Sequence, residues 1–123
     1  MKTSDFVVTL FDGQNNPNKV TVAFTMALNA LKKGHSAIII LMVEAVELGK
    51  PDATAGIDIG QPFEPVSDLC TAYLQQGGRI AVCGPCMIHN GFSAEEMVKE
   101  YEIIKAPDVI DLLMSAKGSL QIT

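Results

Sequence analysis

Short runs of β-branched and other apolar residues alternate along this chain with amphipathic segments of helical spacing, and that alternation restricts the fold more than any other feature. Phe6–Phe11 is the first run, closed by the turn signal Asp12-Gly13. Asn16 and Pro17 suit the cap and the first position of a helix whose Val20, Phe24, Ala27, Leu28 and Leu31 share one face. Lys32 and Lys33 fall in its last turn, and Gly34 supplies a left-handed stop. Ala37–Val43 is apolar on both faces, as a central parallel strand covered on each side requires. Glu44–Leu48 predicts a helical turn closed by Gly49, and Val66–Gln76 a second helix with Val66, Leu69, Cys70, Tyr73 and Leu74 inward. Arg79–Cys83 is the third strand. The stretch Gly84–Gly91 predicts a loop, after which Ser93 and Glu96 form a capping box that opens a helix, with Phe92 and Met97 placed as its staple. Tyr101–Lys105 predicts a short fourth strand, Pro107–Ala116 a last helix and Ser119–Thr123 an edge strand. The order predicts an α/β domain, a parallel sheet with helices on both faces and right-handed crossovers. Such sheets bind ligands outside the carboxyl ends of their strands, here the loops after Phe11, Val43 and Cys83.

At 123 residues the chain has room for one domain, 1–123, with a core that needs no staples. Nine basic against fourteen acidic side chains give a net charge of −5. That balance supplies no cationic surface for phosphates, so neither nucleic acid nor an anionic membrane is an expected partner. The longest apolar run, Ala37–Val43, falls far short of the ~20 residues that span a bilayer, and no secretory signal is visible near Met1–Asp5. Three cysteines do not make a disulfide framework, which leaves a reducing cytoplasm as the expected compartment. Gly49–Pro65 holds three glycines and three prolines with little periodicity; a stretch of that length is either a lid over a site or a surface excursion.

The sharpest chemical feature is Cys83-Gly84-Pro85-Cys86 at the end of the third strand. This spacing lets one sulfur attack a substrate while the other resolves the product or stabilises the neighbouring thiolate. His89 follows three residues later, in reach of a proton-transfer or thiolate-stabilising role. A pair of inert, half-buried thiols is the bland alternative. The four letters match the thioredoxin active site, but here they stand two-thirds along the chain, and Val82 rather than a tryptophan precedes Cys83. A metal reading takes Cys83, Cys86 and His89 and needs a fourth ligand, for which only Cys70 and His35 remain. Cys70 sits at an inward helical position, and His35 at a helix end facing water. Asp12–Pro17 has one glycine and no lysine of a phosphate loop. Glu44 and Glu47 either line the cleft or form a solvated helix face.

The element order and the Cys83 loop together resemble the DsrE/DsrF-like family of sulfur-relay proteins. The resemblance spans nearly the whole chain: an opening strand ending Leu10-Phe11-Asp12-Gly13, a long helix from Pro17, an apolar strand running into Glu44-Ala45-Val46, and Ile80-Ala81-Val82-Cys83 followed eight residues later by Gly91. It implies a three-layer α/β/α domain with a five-stranded, mostly parallel sheet, assembled as a homotrimer or hexamer. It also implies a strand-end thiol that accepts sulfur as a persulfide from a donor protein and hands it to an acceptor, with no cofactor. Only Cys83 matches the sulfur-carrying position, and Cys86 matches the second cysteine of two-cysteine relatives; His89 joins them on proximity alone. The alternative from a different class is an oligomeric binding or scaffold protein with structural or metal-holding cysteines.

Overall fold

The computed structural model describes residues 1–123. Five strands, β1 (Phe6–Leu10), β2 (Ala37–Leu41), β3 (Arg79–Cys83), β4 (Glu102–Ile104) and β5 (Gly118–Ile122), form one sheet in the order β4-β3-β2-β1-β5. All four pairings are parallel. Between the strands lie α1 (Pro17–Lys32), α2 (Val66–Gln75), α3 (Gly84–His89) and α4 (Ala106–Ser115), with 3₁₀ turns at Val43–Gly49 and Ala94–Glu96.

Side chains of successive strand residues point to opposite faces, and here each face has its own cover. On one face Val8, Leu10, Ile39, Leu41, Ile80 and Val82 pack with Phe24 and Leu28 of α1 and Leu69 and Tyr73 of α2. On the other, Val7, Ile38, Ile40, Ala81 and Ile104 pack with Val109 and Leu112 of α4. The result is the expected α/β/α arrangement. Asn16 caps α1 through its side-chain oxygen, which accepts from the Lys19 amide at 3.2 Å, and Pro17 takes the first position. Gly34, at φ +90°, ends the helix.

Arg79 ties the start of β3 to its surroundings. Its guanidinium donates to both carboxylate oxygens of Glu102 at 2.8 and 2.7 Å, and to the Lys2 carbonyl and the Ser4 hydroxyl. The opposite case is Thr9 on β1. It is 3% exposed, and its hydroxyl has no hydrogen-bond partner. A buried hydroxyl without a partner costs about 1–3 kcal/mol, and valine keeps the shape. Thr9→Val is therefore expected to raise the stability by about 1 kcal/mol, read from the midpoint of urea unfolding at unchanged slope. A lowered midpoint would mean that the hydroxyl does useful work.

Leu74, expected inward, is 39% exposed, β2 ends at Leu41 rather than Val43, and two further segments differ from the sequence expectation. Residues 84–89 form a short helix instead of a loop, because Pro85 falls in the first turn, where its missing N–H costs nothing. Gly91 at φ +85° then stops it. The capping box at Ser93 does form, with the Ser93 amide donating to Glu96 Oε1 at 2.9 Å, but it opens only the three-residue turn Ala94–Glu96. Tertiary contacts override it: Met97 is buried, and the Val98 amide donates to the Gly49 carbonyl at 2.9 Å.

Gly49–Pro65 runs over the α1/α2 face. Ile57 is buried in the core, its carbonyl accepts from the Val66 amide at 2.9 Å, and Gln14 donates to the Ala53 carbonyl at 2.8 Å. Gln61–Glu64 lines a groove together with residues of α1 and Leu69 of α2.

Candidate functional site

In an open parallel sheet the natural ligand crevice lies where the strand order reverses, here at the carboxyl ends of β1 and β5. That crevice is filled. Lys19 Nζ lies 2.8 Å from Asp12 Oδ2 and 2.7 Å from the Thr123 carbonyl oxygen. The Asp12–Asn16 turn is further held by Glu47, whose carboxylate accepts from the Gln14 amide at 2.9 Å and covers Gly13 so closely that a Cβ there would strike it. Glu47 is thus a turn-holding residue and not a cleft residue.

The open space lies at the ends of β2 and β3. A cavity of about 490 Å³ is lined by Val43, Glu44, Pro85, Cys86, His89 and Asn90. The chain makes it in two moves. After Leu41 the backbone leaves β2 and Val43 adopts φ +54°, a left-handed conformation that a β-branched residue rarely takes, before entering the 3₁₀ turn. After Cys83 the backbone turns directly into α3, so Cys86 and His89, three residues apart, face the same space. Asn90 joins the two walls. Its amide nitrogen donates to the Cys86 carbonyl at 2.8 Å and to the Val43 carbonyl at 3.3 Å. A strained residue held by a polar contact at the wall of a cavity is where structures commonly store function.

Behind this wall the segments on either side of α3 grip each other. Lys50 Nζ stands 4.4 Å from the centre of the Phe92 ring, and a Cβ on Gly49 would meet Met97 and Val82 below 3 Å. Gly84 is held tightly, though less closely, against β4, with the Ile104 carbonyl 3.2 Å from where its Cβ would be. The short helix bearing the second thiol is thereby fixed at both ends.

The two cysteines of the motif occupy different environments. All three cysteines of the chain are free. Cys83 is 6% exposed and does not line the cavity, whereas Cys86 is partly exposed and does. Burial pushes the Cys83 thiol above the ordinary range; the Cys86 thiol beside it acts the same way, and the Cys86 backbone N–H partly offsets both. Cys70 lies apart, buried on α2 with its sulfur 3.9 Å from the Tyr101 hydroxyl, and burial raises its pKa as well. His35 is at the other end of the sheet, 3.8 Å from Asp5. No three His, Cys, Asp or Glu side chains converge at metal-binding spacing, so the grouping of Cys83, Cys86 and His89 does not form a ligand set here. None of Gly49–Pro65 lines the cavity, which leaves that stretch without a lid's position. The sequence reading did not single out Val43 or Asn90. An Asn-Gly pair after a proline-opened turn was the available signal for the second; nothing local announces the first.

The family model described as DsrE/DsrF-like matches residues 6–121. This chain belongs to the DsrE/DsrF-like family. A curated relative, an uncharacterized protein MK0008 of Methanopyrus kandleri, is 26% identical over 107 residues, covering 85% of this chain and 82% of that protein. Among solved structures the fold is similar to the YchN protein of E. coli, with a TM-score of 0.74, 16% identity and coverage of 98% of this chain and 99% of that one. It is also similar to BT1422 of Bacteroides thetaiotaomicron, described as a conserved protein of unknown function (TM-score 0.67, 20% identity, 96% and 95% covered). MTH1491 of Methanobacterium thermoautotrophicum, likewise of unknown function, gives 0.67 at 12% identity, with 94% and 97% covered. These three likenesses concern the fold. Membership in the family supports a sulfur-relay-type role in general. No helix is long and apolar enough to cross a membrane.

Proposed function

We propose that this DsrE/DsrF-like protein is a sulfur carrier that accepts a sulfane sulfur on the Cys83/Cys86 pair as a persulfide and passes it on. The observation that carries the reading is the placement of the pair where β3 turns into α3, with one thiol opening onto a cavity that also holds His89 and Glu44. A thiolate is the nucleophile in sulfur transfer, and an imidazole on the same wall offers a place for the displaced proton. Carrying sulfur on a thiol needs no resident cofactor. In the same reading the chain works as a homotrimer or hexamer in the cytoplasm, between a donor and an acceptor protein. The exposed apolar Ile110 and Met114 on the outer side of α4 support contact with another copy.

The test is intact-mass spectrometry after exposure to an alkyl persulfide and removal of the excess. The wild-type chain is expected to gain the mass of one sulfur atom, and the Cys83→Ala/Cys86→Ala double variant to gain none although Cys70 remains. No adduct on the wild type, or an adduct that survives in the double variant, would refute the proposal.

A further inference from the structure

We infer that Cys86, and not the strand-end Cys83, is the thiol that receives the sulfur, and that Glu44 on the facing wall restricts it to donors carrying no negative charge beside the sulfane sulfur. The inference deepens the proposed function and rests on it.

Access decides the first half. A sulfur transfer requires the attacking thiolate to reach the outer sulfur of the donor in line with the bond that breaks. Cys86 opens onto the cavity, while Cys83 is buried behind α3, with Gly84 pressed against the Ile104 carbonyl and Ile103. Burial also keeps the Cys83 proton in place near neutral pH, because a thiolate formed there would lose its solvation. The step balances without an added oxidant. The Cys86 thiol gives up its proton, and its sulfur attacks the outer sulfur of a donor R–S–SH. A new S–S bond forms on Cys86 as the donor's own S–S bond breaks, and R–S⁻ leaves with the bonding pair and takes up the proton. The donor leaves as a thiol, and Cys86 carries the persulfide. Cys83 stands behind as the inner thiol.

Charge decides the second half. The six residues lining the cavity include one carboxylate, Glu44, together with His89, and no lysine or arginine. The nearest basic residues along the chain, Lys50 and Arg79, are engaged on the Phe92 ring and on Glu102. Of the remaining lining, Asn90 is polar and uncharged, and Pro85 and Val43 (37%) are exposed apolar residues, as is Ile88 (71%) beside them. A small sulfur-bearing dianion such as thiosulfate meets a repelling carboxylate there and no lysine or arginine to offset it. A persulfide whose R group is uncharged brings no further negative charge beside the sulfane sulfur to that carboxylate.

Two reagents that differ only in charge, iodoacetamide and iodoacetate, read both halves on the wild-type chain without any sulfur donor. Near neutral pH, Cys86 is expected to be alkylated at least about tenfold faster than Cys83, by peptide mass spectrometry. The preference of Cys86 for the neutral reagent should fall about threefold in Glu44→Gln, the size of one screened unit charge across such a cavity. Loading with a neutral alkyl persulfide should then leave its adduct on Cys86, persist in Cys83→Ser and vanish in Cys86→Ser. Faster labelling of Cys83, or an adduct that survives in Cys86→Ser, overturns the order of the thiols and leaves the sulfur-carrier reading standing. An unchanged reagent preference in Glu44→Gln overturns the charge restriction. Ordered alkylation with no persulfide on either thiol overturns the carrier reading itself.

Discussion

Tyr73→Ala is expected to cost about 4 kcal/mol of stability, enough to consume a large share of what a domain of this size possesses. The ring is wholly buried and meets the Phe24 ring edge-on at 6.3 Å between centroids. Its other edge covers Gly78 so closely that a Cβ on that glycine would fall 2.4 Å from the ring. Removing the ring therefore opens a cavity that the rigid β3 backbone and the α1/α2 layer cannot collapse to fill. The hydroxyl adds a separate contribution by donating to the Arg79 carbonyl at 2.7 Å, just where β3 begins. Tyr73→Phe removes only that bond and is expected to cost about 1 kcal/mol. The two variants together divide packing from hydrogen bonding, by urea unfolding with a shared slope. A cost below about 2 kcal/mol for the alanine variant would mean that the neighbouring helices close over the gap, and that β3 is not positioned from this side.

Tyr73 also illustrates which parts of the fold are legible in a sequence. Its inward position follows from helical spacing, and so do the strands. β1, β2 and β3 begin at the residues the sequence predicts, Phe6, Ala37 and Arg79. The ends are less legible, because a strand ends where its neighbour does. Ala37–Val43 reads as seven residues of strand, yet β2 stops at Leu41, and Val43 turns to φ +54° to enter the 3₁₀ segment. Nothing in a run of Leu, Met and Val signals that departure. At Ser93–Glu96 the local signal was present and correct, but Gly49 and Met97 are 48 residues apart in sequence, and their contact limits the helix to a single turn. Local rules describe what a segment prefers, and a long-range contact decides how far the preference extends.

The place of the candidate site was legible, and its detail was not. Cys83-Gly84-Pro85-Cys86 at the carboxyl end of a parallel strand follows from the motif and the fold class together. Which sulfur faces the solvent does not. Whether the last residue of a strand is open or covered depends on what the chain does next, and here Gly84 and Pro85 start a helix whose first turn covers Cys83 and presents Cys86. The roles of the two glutamates were beyond sequence reading for a similar reason. Glu44 and Glu47 lie one turn apart, yet one lines the cavity and the other holds the Gln14 amide.

The second layer of helices offers the sharpest separation between stability and site. α4 is the one helix on its face of the sheet, and only Val109 and Leu112 of its side chains are buried. Leu112 is fully buried against strands from the centre of the sheet. Leu112→Ala is expected to cost about 3 kcal/mol through lost transfer energy and the gap left behind. The loss should be local first. Native-state hydrogen exchange is expected to show the amides of α4 opening at a free energy well below that of β1, β2 and β3, whose other face keeps the larger core. The cavity at Cys86 is lined by the Val43–Glu44 turn and by α3, with no residue of α4, so the rate of Cys86 alkylation should stay within about twofold of the wild type. If α4 and the central strands instead lose protection together, the sheet and its second layer form one cooperative unit. The turn that carries Cys83 and Cys86 would then depend on both faces of the sheet, because Cys83 pairs with Ile104, the residue that joins β4 to the α4 cluster.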